Sequence, residues 1–424
     1  MLHAEWRSAY APRPRRTLEF APAAAQGSTP ARIQFGSVLL ASEVITELSK
    51  LDPLRAEWDG LAVSNQTPLM SPACVMAWWR HLAPASAEPR VIAVRQDGAL
   101  VGLAPFYVDL AGRGVRRGLH LPGIELGAPL APLAAPGHQQ SVASALGQAL
   151  AAGGLCPDLA ALEGVPCRMD WAGALREAWP GHVRPVGRRY QVSGCPTVSL
   201  STSSFDAWLK AKSSSFRKEM RRVRRQFAAA GGTMRVSTPD TLRADVDVFV
   251  RLHASRWETR GGSNLIALGD GLPAALRDIG QTLLDQEGRF VMRLLELGGE
   301  PISAQLFLSA GGRVHYMAAG WDERFAKLKP TIVGMLATIE DGIEHGEELF
   351  HLGPGDQDYK LRFADGNDPV DWTILVPAGA RLPLTLLRTA PMRGRLAVQN
   401  TLKRRLSEKQ FGRLRQGLHK IGAG

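Results

Sequence analysis

Cysteine is scarce in this chain of 424 residues, with Cys74, Cys156, Cys167 and Cys195 the only four. None stands in a C-x-x-C spacing or beside a paired-histidine pattern, so neither a zinc site nor a disulfide framework is expected, and a reducing cytoplasm is the simplest setting. Long apolar runs are missing as well. No stretch approaches the ~20 residues that a membrane-spanning helix needs. An export signal is not legible either: Arg15-Arg16 precede a mild Ala/Pro run, but Pro22 and Gln26 interrupt it, and residues 1–35 read as a flexible leader. Acidic residues are in deficit, 40 against 51 Lys and Arg, for a net charge of +11. That excess is local. Eleven Lys/Arg and a single acid, Glu408, lie from Arg381 onward, so this stretch alone carries +10. The basic character therefore belongs to an appendage, which argues against a nucleic-acid-binding body.

What is present fits a globular protein: 45% apolar residues, 21% charged residues and a mean hydropathy of -0.09. At roughly 150 residues per domain the length predicts two or three domains.

The most informative segment runs from Arg289 to Phe363. Phe290, Met292 and Leu294 alternate with Val291, Arg293 and Leu295, the pattern of a half-buried strand. Gly298-Gly299 supplies the positive φ angles of a tight hairpin, and Ile302–Leu308 returns as its partner. Gly311-Gly312 turns the chain again into a third strand, Val314–Ala319. A polar, basic loop, Asp322–Lys329, leads to Pro330 at a helix first turn. Ile332, Val333, Leu336, Ile339 and Ile343 keep helical spacing, Gly346 is a stop signal, and residues 348–352 form a short buried strand.

Laying Val91–Phe106 over Met292–Phe307 at a constant offset of 201 residues matches Gly98 to Gly299 and Phe106 to Phe307. Helical stretches precede both hairpins (Pro72–His81 and Pro273–Gln286), and the earlier half continues with a third strand at Gly114–Leu121, a helix at His138–Ala152 and a strand at Pro157–Glu163. A tandem duplication is the economical reading. The first half has no lysine before its helix, so cofactor binding is placed in the second.

Between the halves, Phe216, Met220, Val223 and Phe227 fall at i, i+4, i+7 and i+11 on one helix face, flanked by Arg217, Arg221, Arg224 and Arg225. This basic amphipathic helix suits a phosphate, a carboxylate, an anionic membrane or nucleic acid, or is a solvated linker face. Helical spacing also groups His253, Arg256 and Trp257, which can line a pocket mouth or split between core and solvent.

Two groups of residues suggest chemistry. Lys327, Lys329 and Thr331 stand at a helix N-terminus whose free amides attract anions, a setting for a pyrophosphate. Asp356, Tyr359 and Lys360 offer a base, an acid and a positive charge within a few residues. Their structural alternatives are an Asx turn, a core phenol and an ion pair with Asp358 or Asp365. Tyr316 and Gln305, on predicted strands, complete the candidates.

The basic helix Phe216–Arg225, the Leu252-His253 to Arg256-Trp257 pattern, the hairpin ending in Pro301-Ile302-Ser303-Ala304, and Gly355 to Tyr359-Lys360 together resemble the CelD-type branch of the GNAT acyltransferase superfamily, tandem-GNAT proteins similar in architecture to the FemAB peptidyltransferases. The resemblance covers roughly 36–375. It implies an α/β fold of the α+β type: two GNAT-like domains, 36–195 and 196–378, each a mixed, mostly antiparallel central sheet flanked by helices, followed by a basic amphipathic helical tail, 379–424. It implies acyl-CoA as co-substrate, its pyrophosphate held by the loop from Lys327 to Gly334, with no metal. This loop has one glycine and a proline where the better-known Q/R-x-x-G-x-G/A pattern has two small residues. The acceptor, an amine or hydroxyl of a small molecule or saccharide, would meet Arg217, Arg221, His253, Arg256, Trp257 and Gln305, and Asp356, Tyr359, Lys360 and Tyr316 would carry the chemistry, with a role in polysaccharide or cell-envelope biosynthesis. Two alternatives stand beside this: a FemAB-like transferase using aminoacyl-tRNA, the one setting in which nucleic acid is expected, and a non-enzymatic scaffold whose tail docks on anionic membrane.

Overall fold

The computed structural model describes residues 31–390 except 36–37, 110, 113–117, 153–157, 259–262, 287 and 380. Residues 1–30 of the expected leader, most of the tail and Cys156 lie outside the described residues, and residues 31–35, read as leader, instead form a strand that pairs with the next one. Contacts sort the chain into two units. The first comprises residues up to 124, 128–192 and a returning segment from 370; the second comprises 193–369 with 125–127.

The first unit runs β1 (Ala31–Phe35), β2 (Val38–Ile45), α1 (Arg55–Ser64), α2 (Pro72–His81), β3 (Ala87–Gln96), β4 (Ala99–Asp109), β5 (Leu119–His120), β6 (Leu133–Ala134), α3 (Gln139–Ala151), β7 (Ala160–Pro166), α4 (Trp171–Glu177) and β8 (Val186–Ser193). Local signals explain its helices: Ser71 caps α2 by accepting from the Cys74 N–H, and Pro72 takes the first turn, where its missing donor costs nothing. The second unit runs β9 (Pro196–Ser199), α5 (Phe205–Ala211), α6 (Ser214–Ala229), β10 (Gly232–Val236), α7 (Leu242–Glu258), α8 (Gly271–Leu283), β11 (Phe290–Leu297), β12 (Glu300–Ala310), β13 (Arg313–Trp321), α9 (Pro330–Glu344), β14 (Leu349–His351), α10 (Asp358–Phe363) and β15 (Gly366–Asn367). The chain then returns to the first unit, where β16 (Val370–Val376) pairs with β7. The boundary expected at 378 runs past this return.

The first sheet follows the order β1-β2-β3-β4-β5-β7-β16-β8 with β6 on β4, and the second β10-β11-β12-β13-β14-β9-β15. From β1 to β16 in the first sheet and throughout the second, neighbours are antiparallel except β5 with β7 and β13 with β14. The expected fold class is borne out: two mostly antiparallel mixed sheets, each flanked by helices.

The repeat is visible in backbone detail. Asp97-Gly98 (φ 50° and 88°) and Gly298-Gly299 (φ 56° and 81°) make the two hairpin turns, both with paired left-handed residues as a twisted two-residue turn demands. Each hairpin also carries an irregularity at the same place, between Val94 and Arg95 and between Leu295 and Glu296. The copies part at the third strand. β13 is continuous over nine residues, whereas its counterpart is reduced to the two-residue β5 and β6, separated by the Gly/Pro-rich stretch 121–132 that cannot sustain a ladder.

In the second unit α6 buries Phe216, Met220, Val223 and Phe227, the face read from the sequence. Phe216 and Met220 join a core with Trp208, Phe307, Met335, Leu336, Ile339, Phe350 and Phe363, where each large side chain removed from water contributes about 1.5–3 kcal/mol. Lys329, in the left-handed region (φ 49°), caps α9 with Pro330 at its first position. Gly346 (φ 73°) lets the Glu347 N–H close on the Gly342 carbonyl and ends the helix. The described start of the tail, a helix over 382–390, lays Leu382 and Leu386 on the Leu159, Ala161, Ile374 and Val376 cluster of the first unit.

Candidate functional site

Parting strands and a buried lysine

β13 and β14 pair only from Arg313↔Leu349 to His315↔His351, while β13 continues along β12 to Trp321. From Tyr316 onward, among the described residues, no strand covers the other edge of β13. The chain leaves β14 through Gly353 (φ 76°) and Gly355 (φ 108°). Gly353 requires glycine twice over: its φ is left-handed, and an added Cβ would lie 3.2 Å from the Tyr316 carbonyl and 3.8 Å from Lys360 Nζ. The Gly355 N–H is fastened to the Gly194 carbonyl and the Leu352 N–H to that of Pro196.

These anchors present α10, which puts Lys360 at the parting. Its side chain is buried, and Nζ donates to the carbonyls of Gly353 (3.2 Å) and Pro354 (2.9 Å). Burial lowers its pKa to about 8, against the opposing influence of Cys195 and Asp356. The buried phenol of Tyr316 and the half-buried one of Tyr359 interact here, and burial raises both above the ordinary tyrosine range.

The rim and the anion cleft

From α7, His253 and Arg256 reach the same open edge. His253 Nδ1 donates to the Ala319 carbonyl (2.9 Å), Arg256 Nη1 reaches that oxygen at 3.3 Å, and Ser263 Oγ sits 2.8 Å from His253 Nε2. Burial holds His253 below the ordinary imidazole pKa. With both ring nitrogens engaged, it locates the edge and is not a free base. The Arg256 guanidinium lies 3.5 Å from the Trp321 ring centroid and 5.2 Å from that of Trp257, and its charge is felt by Tyr316 and Tyr359.

A cavity of about 200 Å³ is lined by Glu219, Met220, Lys329, Ile332, Tyr359, Arg362 and Phe363. Glu219 bridges Lys329 (2.7 Å) and Arg362, and these two cations, Arg362 foremost, bring its carboxyl down to about 2. Between the lining residues Lys329 and Ile332 lies Thr331, whose Oγ1 is buried without a hydrogen-bond partner among the described residues.

The structure thus brings together Lys360, Tyr359, Tyr316, His253, Arg256 and Trp257, and beside Tyr359 it places Lys329. Others face solvent or serve the frame. Lys327, Asp356 and Arg221 are exposed, Asp356 near enough for its charge to act on Lys360. Arg217 donates to the Lys210 and Lys212 carbonyls and so closes the α5–α6 junction. Gln305 is fully buried, with Nε2 on the Pro330 and Thr331 carbonyls, and Gly334 faces it, since a Cβ there would come within 2.4 Å of that amide. Gln305 therefore anchors the start of α9 from inside the sheet. Sequence reasoning missed Glu219, Arg362, Trp321 and His351. The one available signal was Glu219, the single acid in a run of basic residues.

Comparison with known proteins

The family model described as an acetyltransferase (GNAT) domain matches residues 214–361, which contain the parting strands, the cavity-lining residues from Glu219 to Tyr359, and Lys360. The solved structure of FemX overlaps 82% of this chain and 99% of its own at 12% identity, with a TM-score of 0.55. The chain shares the fold of FemX, and its residues 214–361 match the GNAT domain. L-PGS from Bacillus licheniformis overlaps 82% of this chain and 97% of its own (15% identity, TM-score 0.48), and a tandem GNAT protein from the clavulanic acid biosynthesis pathway overlaps 80% and 99% (13% identity, TM-score 0.41). Among curated proteins nothing matches the chain by sequence. The tandem resemblance read from the residues is borne out. Among the described residues no helix is long and apolar enough to cross a membrane.

Proposed function

We propose that the second unit is an acyltransferase that moves an acyl group, acetyl being the simplest, from acyl-CoA to an amine or hydroxyl of a small-molecule or saccharide acceptor. The observation that carries this reading is the parting of β13 from β14, with a buried lysine of lowered pKa and two protonated phenols at the opened edge. The residues fit a CoA thioester: a cavity with two cations, Lys329 and Arg362, that phosphate oxygens would share with Glu219, and beside the lining residue Ile332 an orphaned Thr331 hydroxyl, with a strand edge able to hydrogen-bond an extended chain. The thioester supplies an activated acyl carbon. Lys360, as free amine, takes the proton of the attacking nitrogen or oxygen as the new bond forms. Tyr316 and Tyr359, kept protonated by burial, supply a proton to the leaving sulfur. Arg256 adds positive charge near the carbonyl oxygen, where electrostatic stabilisation is most effective.

Release of CoA thiol from acetyl-CoA and longer acyl-CoAs, in the presence of amine and amino-sugar acceptors, tests this directly. Transfer lost in Lys360→Met supports the reading; no binding of any acyl-CoA by calorimetry sinks it.

A second reading keeps the fold and takes aminoacyl-tRNA as donor. It is favoured by Lys218, Arg221, Arg222 and Arg225, all exposed at i, i+3, i+4 and i+7 along α6. It predicts tRNA affinity that falls steeply with salt and exceeds that for random RNA; equal affinities for the two contradict it. A place in polysaccharide or cell-envelope synthesis, near the inner face of a membrane, is consistent with either donor.

A further inference from the structure

Lys360 is gripped by two carbonyls, and those carbonyls belong to a turn that has its own support. His351, at the end of β14, is 1% exposed and packs against His315 of β13, the rings tilted by 37° with centroids 4.9 Å apart. Its Nδ1 accepts from the Gly353 N–H at 3.2 Å, while the ring also hydrogen-bonds to the Asp368 backbone. The imidazole therefore spans from the Gly353 amide to the segment just past β15. With Nδ1 accepting, the ring proton sits on Nε2 and the ring is neutral. In the next two peptides of the turn, the Gly353 and Pro354 carbonyls meet Lys360 Nζ at 3.2 and 2.9 Å.

We propose that His351 is a positioning residue for Lys360: by accepting the Gly353 N–H it fixes the turn whose two carbonyls hold the ammonium. This rests on Lys360 being the proton-handling group proposed above. A hydrogen-bonded ring places the turn more sharply than apolar packing alone, because Gly353 in the left-handed region has no side chain to anchor it. The charged groups around the ring are Arg313 on β13, Lys360 on α10 and Asp368 beyond β15, with the His315 ring packed against it; Asp368 is paired with Arg313 at 2.7 Å. Burial dominates, and brings the His351 pKa to about 4, so the acceptor persists throughout the range in which Lys360 titrates.

The test reads Lys360 itself, not turnover: competitive labelling with trace acetic anhydride across pH, with modification at Lys360 quantified by peptide mass spectrometry in the full-length protein. Wild type is expected to titrate near pH 8. His351→Leu keeps the burial but removes the acceptor; with the carbonyl grip loosened the ammonium is less favoured, and the midpoint falls by about one unit. His351→Gln, whose amide oxygen stands where Nε2 stood and not where Nδ1 did, gives the same fall and decides the matter if the leucine variant does not fold. His351→Asn, whose amide oxygen is carried on Cγ just as Nδ1 is, restores the midpoint. A midpoint unchanged in folded His351→Gln overturns the proposal. So does an upward move, which reports general exposure of the lysine to water. If Lys360→Met retains full transfer while the midpoints shift as expected, the catalytic reading fails and the positioning one stands.

Discussion

The two units share a hairpin down to its turn angles and its irregularity, yet one is closed where the other is open. In the first, β5 runs parallel to β7 at His120↔Ala161. There His120 Nδ1 lies 3.2 Å from Glu163, and the Tyr190 hydroxyl donates to the other carboxylate oxygen at 2.6 Å. Burial works against the Glu163 charge, but the His120 and Tyr190 hydrogen bonds outweigh it and hold the carboxyl below its ordinary range. Both oxygens are engaged. In the second unit the same parallel step, His315↔His351, is followed by separation: β13 keeps going, and a lysine held only by backbone carbonyls occupies the gap. On the proposed function, a duplicated frame serves as scaffold in one copy and as site in the other, and the two differ in the length of a single strand.

The largest expected effect probes that difference directly. Lys360→Met lowers the transfer rate by about 10²–10⁴-fold, while thermal unfolding shows a fold that remains intact; a variant within a few-fold of wild type removes the asymmetry. In wild type the rate rises with pH until Lys360 is deprotonated, near pH 8, and the variant loses that limb.

Acid stability comes next. His351 has a folded pKa of about 4 against an ordinary value of 6.5, so between these values the unfolded chain binds the extra proton. Stability is therefore full above pH 6.5 and declines as pH falls toward 4, by ~3 kcal/mol from this group. Denaturant unfolding at pH 7 and pH 4.5 checks this, and His351→Gln flattens the profile. An equally steep profile in that variant assigns the acid loss elsewhere.

Glu163→Gln in the first unit costs ~2 kcal/mol by disturbing a buried hydrogen-bonded pair and leaves the transfer rate unchanged. A rate loss comparable to that of Lys360→Met would make the first unit part of the chemistry. The smallest effects test the repeat itself. Gly98→Ala and Gly299→Ala each place a Cβ on a left-handed residue with open space around it, so each costs ~1 kcal/mol and the two agree. Clearly unequal values would mean that the hairpins are alike in shape only.

Much of this was legible in the residues, for physical reasons. Period-two alternation from Phe290 and the Gly298-Gly299 pair specify a hairpin locally, and Phe216, Met220, Val223 and Phe227 specify a helix face. The duplication followed because the hairpin signal recurs at a fixed offset, Val91–Phe106 over Met292–Phe307. Tyr359 and Lys360 stood out as chemistry within one short segment. Their setting did not, because it is made of backbone carbonyls, and one residue type resembles another in that respect. The Glu219–Arg362 bridge joins positions 143 apart, a pairing that no local pattern encodes. Glu219 read as a break in a basic run. The return of β16 was equally hidden: its apolar alternation shows that it is a strand but not which sheet takes it. Gly334 was read through its neighbours at the helix start, whereas the glycine is required by Gln305 beneath it.

The central claim is that one copy of the repeat holds the donor. Isothermal titration of the full-length protein with a non-hydrolysable acetyl-CoA analogue measures this most directly. One molecule bound per chain, weakened at least about tenfold by Lys329→Ala as the loss of a charge-assisted phosphate contact requires, is the predicted result. Two sites per chain, no binding, or a single site indifferent to Lys329 would contradict it.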